Sequence, residues 1–157
     1  MTHPFFVVGI DGSPASRTAL RFAIGESAAH GGEVHAITCW SSDVKTHNDP
    51  NLPPCDSYEN ASRVLRTIIF EVSEDAREVS KVVREIDEGE AGPLLVAAAA
   101  RATSLVVGAT HEGPIARLTG HTVTDYCTRH ATVPVVVVPW VAAELEALDR
   151  HGDLRRS

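Results

Sequence analysis

The chain has 157 residues, 43% of them hydrophobic and only 5% aromatic, and its 14 Lys and Arg against 21 Asp and Glu give a net charge of −7. This length fits one domain whose core needs neither disulfides nor a metal. The negative charge argues against sequence-independent binding of nucleic acid or of anionic membranes. A composition rich in Ala and Val favours an α/β class over an aromatic β-sandwich.

The N-terminus carries no basic signal region, and no apolar run is long enough to cross a bilayer. We therefore expect a cytoplasmic protein. The three cysteines, Cys39, Cys55 and Cys127, are isolated and form no CxxC pair. Neither a disulfide framework nor a thiolate zinc site is indicated, and we expect buried or inert thiols.

The apolar run 5–10 predicts a first strand that is buried on both faces. Ser13 can cap a following helix, Pro14 suits its first turn, and Gly31 with Gly32 ends it. Small and apolar residues of that helix recur at helical spacing: Leu20, Ala23, Ile24, Ser27 and Ala28.

Residues 34–40 predict a second strand, and the Pro-, Asn-, Asp- and Ser-rich segment 41–60 predicts a loop that is long for such a connection. From 61 to 79 apolar residues line one helical face and acidic residues the other, which predicts an amphipathic helix. Whether the long loop covers a site is left open by the sequence.

The second half of the chain continues the alternation of strands and helices. Short strands are predicted at 82–86, 104–107 and 135–138, and helices at 92–102 and 119–130. Alternating strands and helices indicate a single-domain parallel sheet with helices on both faces. In such a sheet ligands bind beyond the carboxyl ends of the strands, where the winding reverses.

Asp11 follows the first strand, where a carboxylate can accept hydrogen bonds from a base amino group or a ribose hydroxyl. Asp-Gly-Ser-Pro is equally good turn and helix-start chemistry, so both interpretations stay open. The G-x-G-x-x-G and G-x-x-x-x-G-K phosphate fingerprints are absent from this strand end. Any phosphate has to bind elsewhere.

Over residues 4 to 140 the chain resembles the universal stress proteins. The likeness is specific in VVGIDGSPASRTALRFAI near the start and in VVGATHEGPIARLTGHTVTDYCTRHATVPVVVVP near the end. It implies a five-stranded, Rossmann-like α/β domain of the adenine nucleotide alpha hydrolase type over residues 1–142, followed by a polar tail, 143–157. It also implies dimerisation through the strand at 135–138, and ATP or AMP as ligand.

Nucleotide-binding members of that family carry the signature G-x2-G-x9-G followed by Ser or Thr. An ungapped alignment places Gly108 on the first glycine, His111 on the second, His121 on the third and Thr122 on the hydroxyl position. A shift by one residue would make Gly120 the third glycine but would put His121 on the hydroxyl position. We prefer the ungapped frame.

Glycines in a phosphate loop let backbone N–H groups approach the ligand with no Cβ between them. Imidazole rings at two of these positions tend to fill the space of the phosphates, although His tolerates left-handed backbone and can donate to an anion. We therefore expect ATP binding to be weakened or lost. The residues expected around a nucleotide are Gly9, Ile10, Asp11, Cys39, Gly108, His111, Gly113, His121, Thr122 and Val123.

His111 and His121, with His130, raise the question of a metal, but their spacing matches no closed site and we assign none. No nucleophile elbow or suggestive carboxylate pair occurs, so we predict a protein that is not an enzyme. The sequence thus predicts a homodimeric regulatory or binding protein of the stress-response type, with no nucleic-acid or membrane partner and a degenerate nucleotide site. The alternatives are an ATP-dependent switch and a hydrolase.

Overall fold

The computed structural model describes residues 3–73, 77, 81–109 and 122–139. Five strands and four helices alternate in these ranges, and none of these helices is long and apolar enough to span a bilayer. The elements are β1 (Phe5–Gly9), α1 (Pro14–His30), β2 (Glu33–Trp40), α2 (Tyr58–Val72), β3 (Val82–Glu88), α3 (Ala91–Ala98), β4 (Ser104–Ala109), α4 (Val123–His130) and β5 (Val135–Pro139).

The strands form one parallel sheet in the order β3-β2-β1-β4-β5. Helices α1 and α2 pack on one face of the sheet, and α3 and α4 on the other. The predicted parallel sheet covered on both faces is confirmed, and the strand order adds where the winding reverses, between β1 and β4. The predicted edge position of the last strand is also confirmed, because β5 pairs only with β4 in this sheet.

The core lies in two layers on either side of the sheet, since successive strand residues face opposite sides. Val8 faces the α1/α2 layer with Leu20 and Ile68, and Val7 faces the α3/α4 layer with Leu105. All five of these apolar side chains are fully buried. The central strands are therefore apolar on both faces, as the run 5–10 predicts.

The predicted start of α1 is confirmed, since the Ser13 side chain accepts a hydrogen bond from the main-chain N of Ser16. Gly31 ends the helix with a φ of 79°, in the region that favours glycine. The predicted buried face is wrong at Ala28, which is exposed. The face that is buried includes Ala15 and Ala19 instead.

Helix α2 does not have the predicted bounds 61–79. Ser57 caps it by accepting from the main-chain N of Asn60, so the helix begins at Tyr58, and it ends at Val72. A side-chain cap therefore set the start of the helix where the apolar pattern alone did not. The end of the predicted pattern, at 79, lies outside the described residues.

The remaining bounds differ at the ends of elements. Helix α3 is shorter than the predicted 92–102. Helix α4 begins at Val123 after Thr122, whose side chain caps it, and the predicted start at 119 lies outside the described residues. Strands β3 and β4 run past their predicted ends, to Glu88 and Ala109. The predicted boundary at 142 and the tail 143–157 lie outside the described residues.

Candidate functional site

Two connected clefts open at the carboxyl ends of β1, β2 and β4, where the winding of the sheet reverses. The inner cleft, about 90 Å³, reaches down to Ile37, Leu95 and Val107, and the outer cleft, about 840 Å³, widens toward the long loop after β2. This is the place at which parallel α/β sheets bind ligands. Both clefts share a rim of five residues, Asp11, Cys39, Ala91, Thr122 and Val123.

Asp11 is exposed at the end of β1 and has its two carboxylate oxygens in different roles. Oδ1 accepts a hydrogen bond of 2.9 Å from the main-chain N of Ser13, which forms the turn into α1. Oδ2 has no hydrogen-bond donor among the described residues. The turn and the ligand interpretations of Asp11 are therefore compatible, because one oxygen makes the turn and the other is available to the cleft.

Gly9 and Ile10 precede Asp11 and line the inner cleft. The side chain of Ile10 is 2% exposed and packs in the α1/α2 layer, while its main-chain N donates to the Ile37 carbonyl. Ile10 therefore reaches the cleft through its main chain. A Cβ on Gly9 would come within 2.8 Å of Leu95 Cδ1, the end of a flexible side chain.

Gly108 lines the inner cleft near the end of β4. The need for glycine at this position is explained by packing and does not depend on a ligand. A Cβ at this position would lie 2.5 Å from the Ala15 carbonyl oxygen and 2.7 Å from the Ala15 Cβ. The first turn of α1 thus packs directly on the Gly108 backbone. Glycine is required here by the contact between β4 and α1, whether or not a phosphate ever binds.

Thr122 and Val123 bring the start of α4 to the rim of both clefts. The Thr122 hydroxyl accepts from the main-chain N of Asp125 at 3.0 Å, which caps the helix. Thr124 Oγ1 donates to the Gly108 carbonyl at 3.2 Å and so joins α4 to the end of β4. The predicted positions Gly9, Ile10, Asp11, Cys39, Gly108, Thr122 and Val123 therefore meet at one site.

Cys39 is half-buried at the end of β2, and burial, followed by the nearby Asp87 carboxylate, raises the pKa of its thiol to about 12. Burial likewise raises the pKa values of Cys55 and Cys127 to about 11. All three cysteines are free, and at neutral pH all are protonated. Inert thiols are the outcome that their isolated placement in the sequence predicts.

The loop at 41–57 forms one wall of the outer cleft. Leu52 and Cys55 anchor the loop in the α1/α2 core, and the main-chain N of Ser41 donates to the Cys55 carbonyl at 3.1 Å. Asn48 Nδ2 donates to the Asp11 carbonyl at 3.0 Å, which ties the loop to the turn after β1. The loop therefore packs over the strand ends, a placement that its sequence left open.

Arg17 holds the loop that forms this wall in place through hydrogen bonds. Its guanidinium donates to the Gly12 carbonyl at 2.9 Å, to Asp49 of the loop at 2.9 Å and to Glu71 of α2 at 2.8 Å. With 16% of its side chain exposed, Arg17 joins α1, α2, the loop and the turn after β1. Sequence analysis missed this residue, because its partners lie 32 and 54 positions away along the chain.

The described walls of the outer cleft carry more negative than positive charge. Three carboxylates face one guanidinium, and two imidazoles complete the set of ionisable side chains other than Tyr and Cys: Asp11, Asp43, Glu90, Arg129, His47 and His130. His130 is held in place by Tyr126, since the two rings stack at 4.1 Å and His130 Nδ1 lies 2.9 Å from the Tyr126 carbonyl oxygen. The charge of these described walls therefore disfavours strongly anionic ligands.

Three predicted site residues, His111, Gly113 and His121, lie outside the described residues. Within the described ranges no three His, Cys, Asp or Glu side chains are grouped as a metal would require. Residues that the sequence did not single out also line the clefts: Trp40, His47, Ala91, Leu95 and Tyr126. For His47, the length of the loop was the only sequence feature that could have suggested a place in the cleft. No sequence feature suggested that Ala91 or Leu95 would line it.

Three solved structures share this fold. A universal stress protein in complex with cAMP is 22% identical, with a TM-score of 0.61 and coverage of 88% of this chain and 98% of that one. A universal stress protein of Archaeoglobus fulgidus in complex with dAMP is 17% identical, with a TM-score of 0.60 and coverage of 87% and 98%. One from Lactobacillus plantarum is 20% identical, with a TM-score of 0.55 and coverage of 88% and 99%.

In sequence, a universal stress protein of Mycolicibacterium smegmatis is 27% identical over 133 residues, which cover 84% of this chain and 44% of the relative. The chain thus spans less than half the length of the curated relative that it matches. The model of the universal stress protein family matches residues 6–139, from the first strand to the last. Because that match covers the carboxyl ends of all three strands that form the clefts and nearly the whole described sheet, the chain belongs to the universal stress protein family.

Proposed function

We propose that this protein is a cytoplasmic regulatory binding module whose cleft accepts an adenine nucleoside or its monophosphate, and that it binds ATP weakly or not at all. The observation that carries the proposal is the charge of the cleft. Three carboxylates and a single guanidinium among the described lining residues oppose a triphosphate but leave a nucleoside unaffected.

The base and ribose end of the site has suitable groups. Oδ2 of Asp11 is a free acceptor at the switch between β1 and β4, and it suits a ribose hydroxyl or a base amino group. Beside it, Ile37, Leu95 and Val107 give the inner cleft an apolar floor on which a base can lie. A nucleoside therefore finds both an acceptor and an apolar surface.

The phosphate end of the proposed site contains two histidines of the sequence. His111 and His121 occupy two of the three glycine positions of the family signature, and an imidazole occupies space that a phosphate loop leaves open. Two structurally similar proteins are described in complex with cAMP and dAMP, each of which has one phosphate. A ligand with one phosphate needs less of the loop than ATP does.

Calorimetric titration with adenosine, AMP and Mg-ATP tests the proposal. We expect adenosine or AMP to bind at least about tenfold more tightly than ATP. If the triphosphate of ATP loses even one charge-assisted hydrogen bond to the loop, the cost is at least that large. Asp11→Asn retains an oxygen for the turn with Ser13 but removes the charge, so it should weaken nucleoside binding without unfolding the protein. Tighter binding of ATP than of AMP contradicts the proposal.

A nucleotide-dependent switch is the second candidate. It is favoured by Arg17, which joins the loop over the cleft to α1 and α2, so that a ligand under the loop can alter the outer surface. A switch of this kind should purify with ATP or ADP bound, which the ultraviolet absorbance of the denatured supernatant would reveal. A hydrolase would require phosphate release that disappears in Asp11→Ala, and we propose that no such activity exists.

We further propose that two copies pair through β5. This strand is an edge of the described sheet, and Val137 is 38% exposed on it. An uncovered apolar edge favours pairing with a second chain. Light scattering should give a dimer that Val137→Lys converts to monomer, whereas Val83→Lys on the opposite edge strand should leave it dimeric.

A further inference from the structure

A groove on the surface of α2, remote from the clefts, is lined mainly by basic side chains. It encloses about 430 Å³ between α2 and β3, and we call it the basic groove. Its lining residues are Arg63, Arg66, Thr67, Ile69, Phe70 and Arg84. Arg63, Arg66 and Phe70 are spaced along one stripe of the helix, and Arg84 faces them from the edge strand.

The three guanidinium groups of the basic groove lack carboxylate partners among the described residues. Arg63, Arg66 and Arg84 form no ion pair with any described residue, and the only hydrogen bond among their side chains is a long one, 3.4 Å, from Arg66 to the Ser62 carbonyl. Of the two acidic residues of α2, Glu71 is held by Arg17 of α1 at 2.8 Å, and Glu59 lies in the first turn of the helix. The described lining of the groove therefore carries three positive charges and no carboxylate, in a chain whose net charge is −7.

Phe70 adds an apolar contact to this charge. It is 82% exposed, the largest exposure among the large hydrophobic side chains of the described residues. The aliphatic side chains of α2 are buried, including Ile68 and Ile69 directly before Phe70 in the sequence. An aromatic ring left in water beside arginines has the composition of an interface hot spot.

Guanidinium groups bind carboxylates through paired hydrogen bonds, and an exposed phenyl ring binds an apolar side chain. Nucleic acid presents anionic groups as well, but a protein with a net charge of −7 repels a polyanion as a whole. A short peptide with a few carboxylates can pair with the three arginines of the groove and carries too little charge to be strongly repelled by the protein as a whole. β3 is an edge strand of the described sheet, so no further described strand lies along the outer side of the groove.

We propose that the basic groove is a docking site for an acidic peptide segment of a partner protein, with carboxylates on Arg63, Arg66 and Arg84 and an apolar side chain on Phe70. This function is independent of the nucleotide cleft, which lies at the carboxyl ends of the strands and shares no lining residue with the groove.

Fluorescence anisotropy with a labelled short peptide of glutamates around one central phenylalanine tests the proposal on the full chain. We expect saturable binding in the micromolar range, and Arg66→Glu or Arg84→Glu should each weaken it by at least about fivefold. Arg101→Glu makes the same charge change on an exposed turn after α3, on the other face of the sheet, and should leave binding within about twofold.

A second pair of variants tests the aromatic contact. Phe70→Ala should weaken binding by at least about fivefold, whereas Tyr58→Ala, which removes another exposed ring of α2, should not. Circular dichroism checks that each surface variant keeps its fold. Absence of saturable binding, equal effects of the groove and control variants, or tighter binding of a single-stranded oligonucleotide than of the peptide would each overturn the proposal.

Discussion

Replacing Gly108 with alanine should destabilise the protein even when no ligand is present. The added Cβ would lie 2.5 Å from the Ala15 carbonyl oxygen, 2.6 Å from the carbonyl carbon and 2.7 Å from the Ala15 Cβ. Two of these three atoms belong to the backbone of the first turn of α1, so no side-chain rotation relieves the contact. Strand β4 and helix α1 must move apart.

The cost follows from the distance that must be made up. Restoring the shortest contact from 2.5 Å to the 3.4 Å of an ordinary one requires a displacement of 0.9 Å between two packed elements. Overpacking of this kind costs about 1–3 kcal/mol, and occasionally more. For a domain of this size that loss lowers the melting temperature by about 2–4 °C per kcal/mol.

Urea denaturation of the ligand-free protein measures the effect. Gly25→Ala is the matched control, because a Cβ there meets no atom within 4 Å and the residue lies inside α1. That substitution should stabilise the protein by about 0.5–1 kcal/mol, the helix preference of Ala over Gly. If Gly108→Ala is as stable as the parent chain, the packing explanation for this glycine is wrong.

Three further predictions concern buried polar groups. Thr38→Val should raise the free energy of unfolding, measured in urea, by about 1 kcal/mol, because Thr38 Oγ1 is fully buried and has no hydrogen-bond partner among the described residues. A loss of stability would refute this. Arg17→Met should cost about 1–3 kcal/mol by leaving Asp49 unpaired, while Arg21→Met on the exposed side of α1 should cost little; equal losses would contradict the role of Arg17. The pKa of the Cys39 thiol is raised from 9.0 to about 12, so the stability that the protonated thiol contributes is complete below pH 9 and is lost between pH 9 and pH 12. Over that range the melting temperature of Cys39→Ala should therefore fall less than that of the parent chain. The same fall in both proteins would exclude the effect.

The sheet and its layers were predictable because their signals are local. A strand such as β1 is apolar along its length, Ser13 and Pro14 mark the start of α1, and Gly31 marks its end. The resemblance to universal stress proteins rests on the same two ends of the chain, and the family match over 6–139 confirms it. Strand order was not predictable, because it depends on which strands pair in space.

The starts of α2 and α4 have one common cause. Ser57 and Thr122 each cap a helix by accepting a main-chain hydrogen bond, and these caps determine where α2 and α4 begin. In α2 the apolar pattern begins at Ala61, after the cap. For α4 the predicted start, at 119, lies before the cap. Periodicity reports which face is buried, whereas hydrogen bonding at the ends determines the length.

The site was predictable in part. Asp11, Cys39 and Gly108 could be placed at strand ends, and parallel strands bring their carboxyl ends to one edge. The wall of the cleft could not be predicted, because it depends on Arg17 reaching Asp49 and Glu71 across the fold. A loop rich in Pro, Asn and Asp gave no sign that Leu52 would be buried in the core.

The central proposal is that two histidines of the sequence, His111 and His121, replace glycines that a triphosphate site requires. It is tested most directly by measuring the dissociation constant of Mg-ATP for the parent chain and for the double variant His111→Gly, His121→Gly. Restoring both glycines should tighten ATP binding by about tenfold to a hundredfold, the equivalent of one or two charge-assisted hydrogen bonds, and should leave adenosine binding unchanged. Equal ATP affinities for the two proteins would contradict the account.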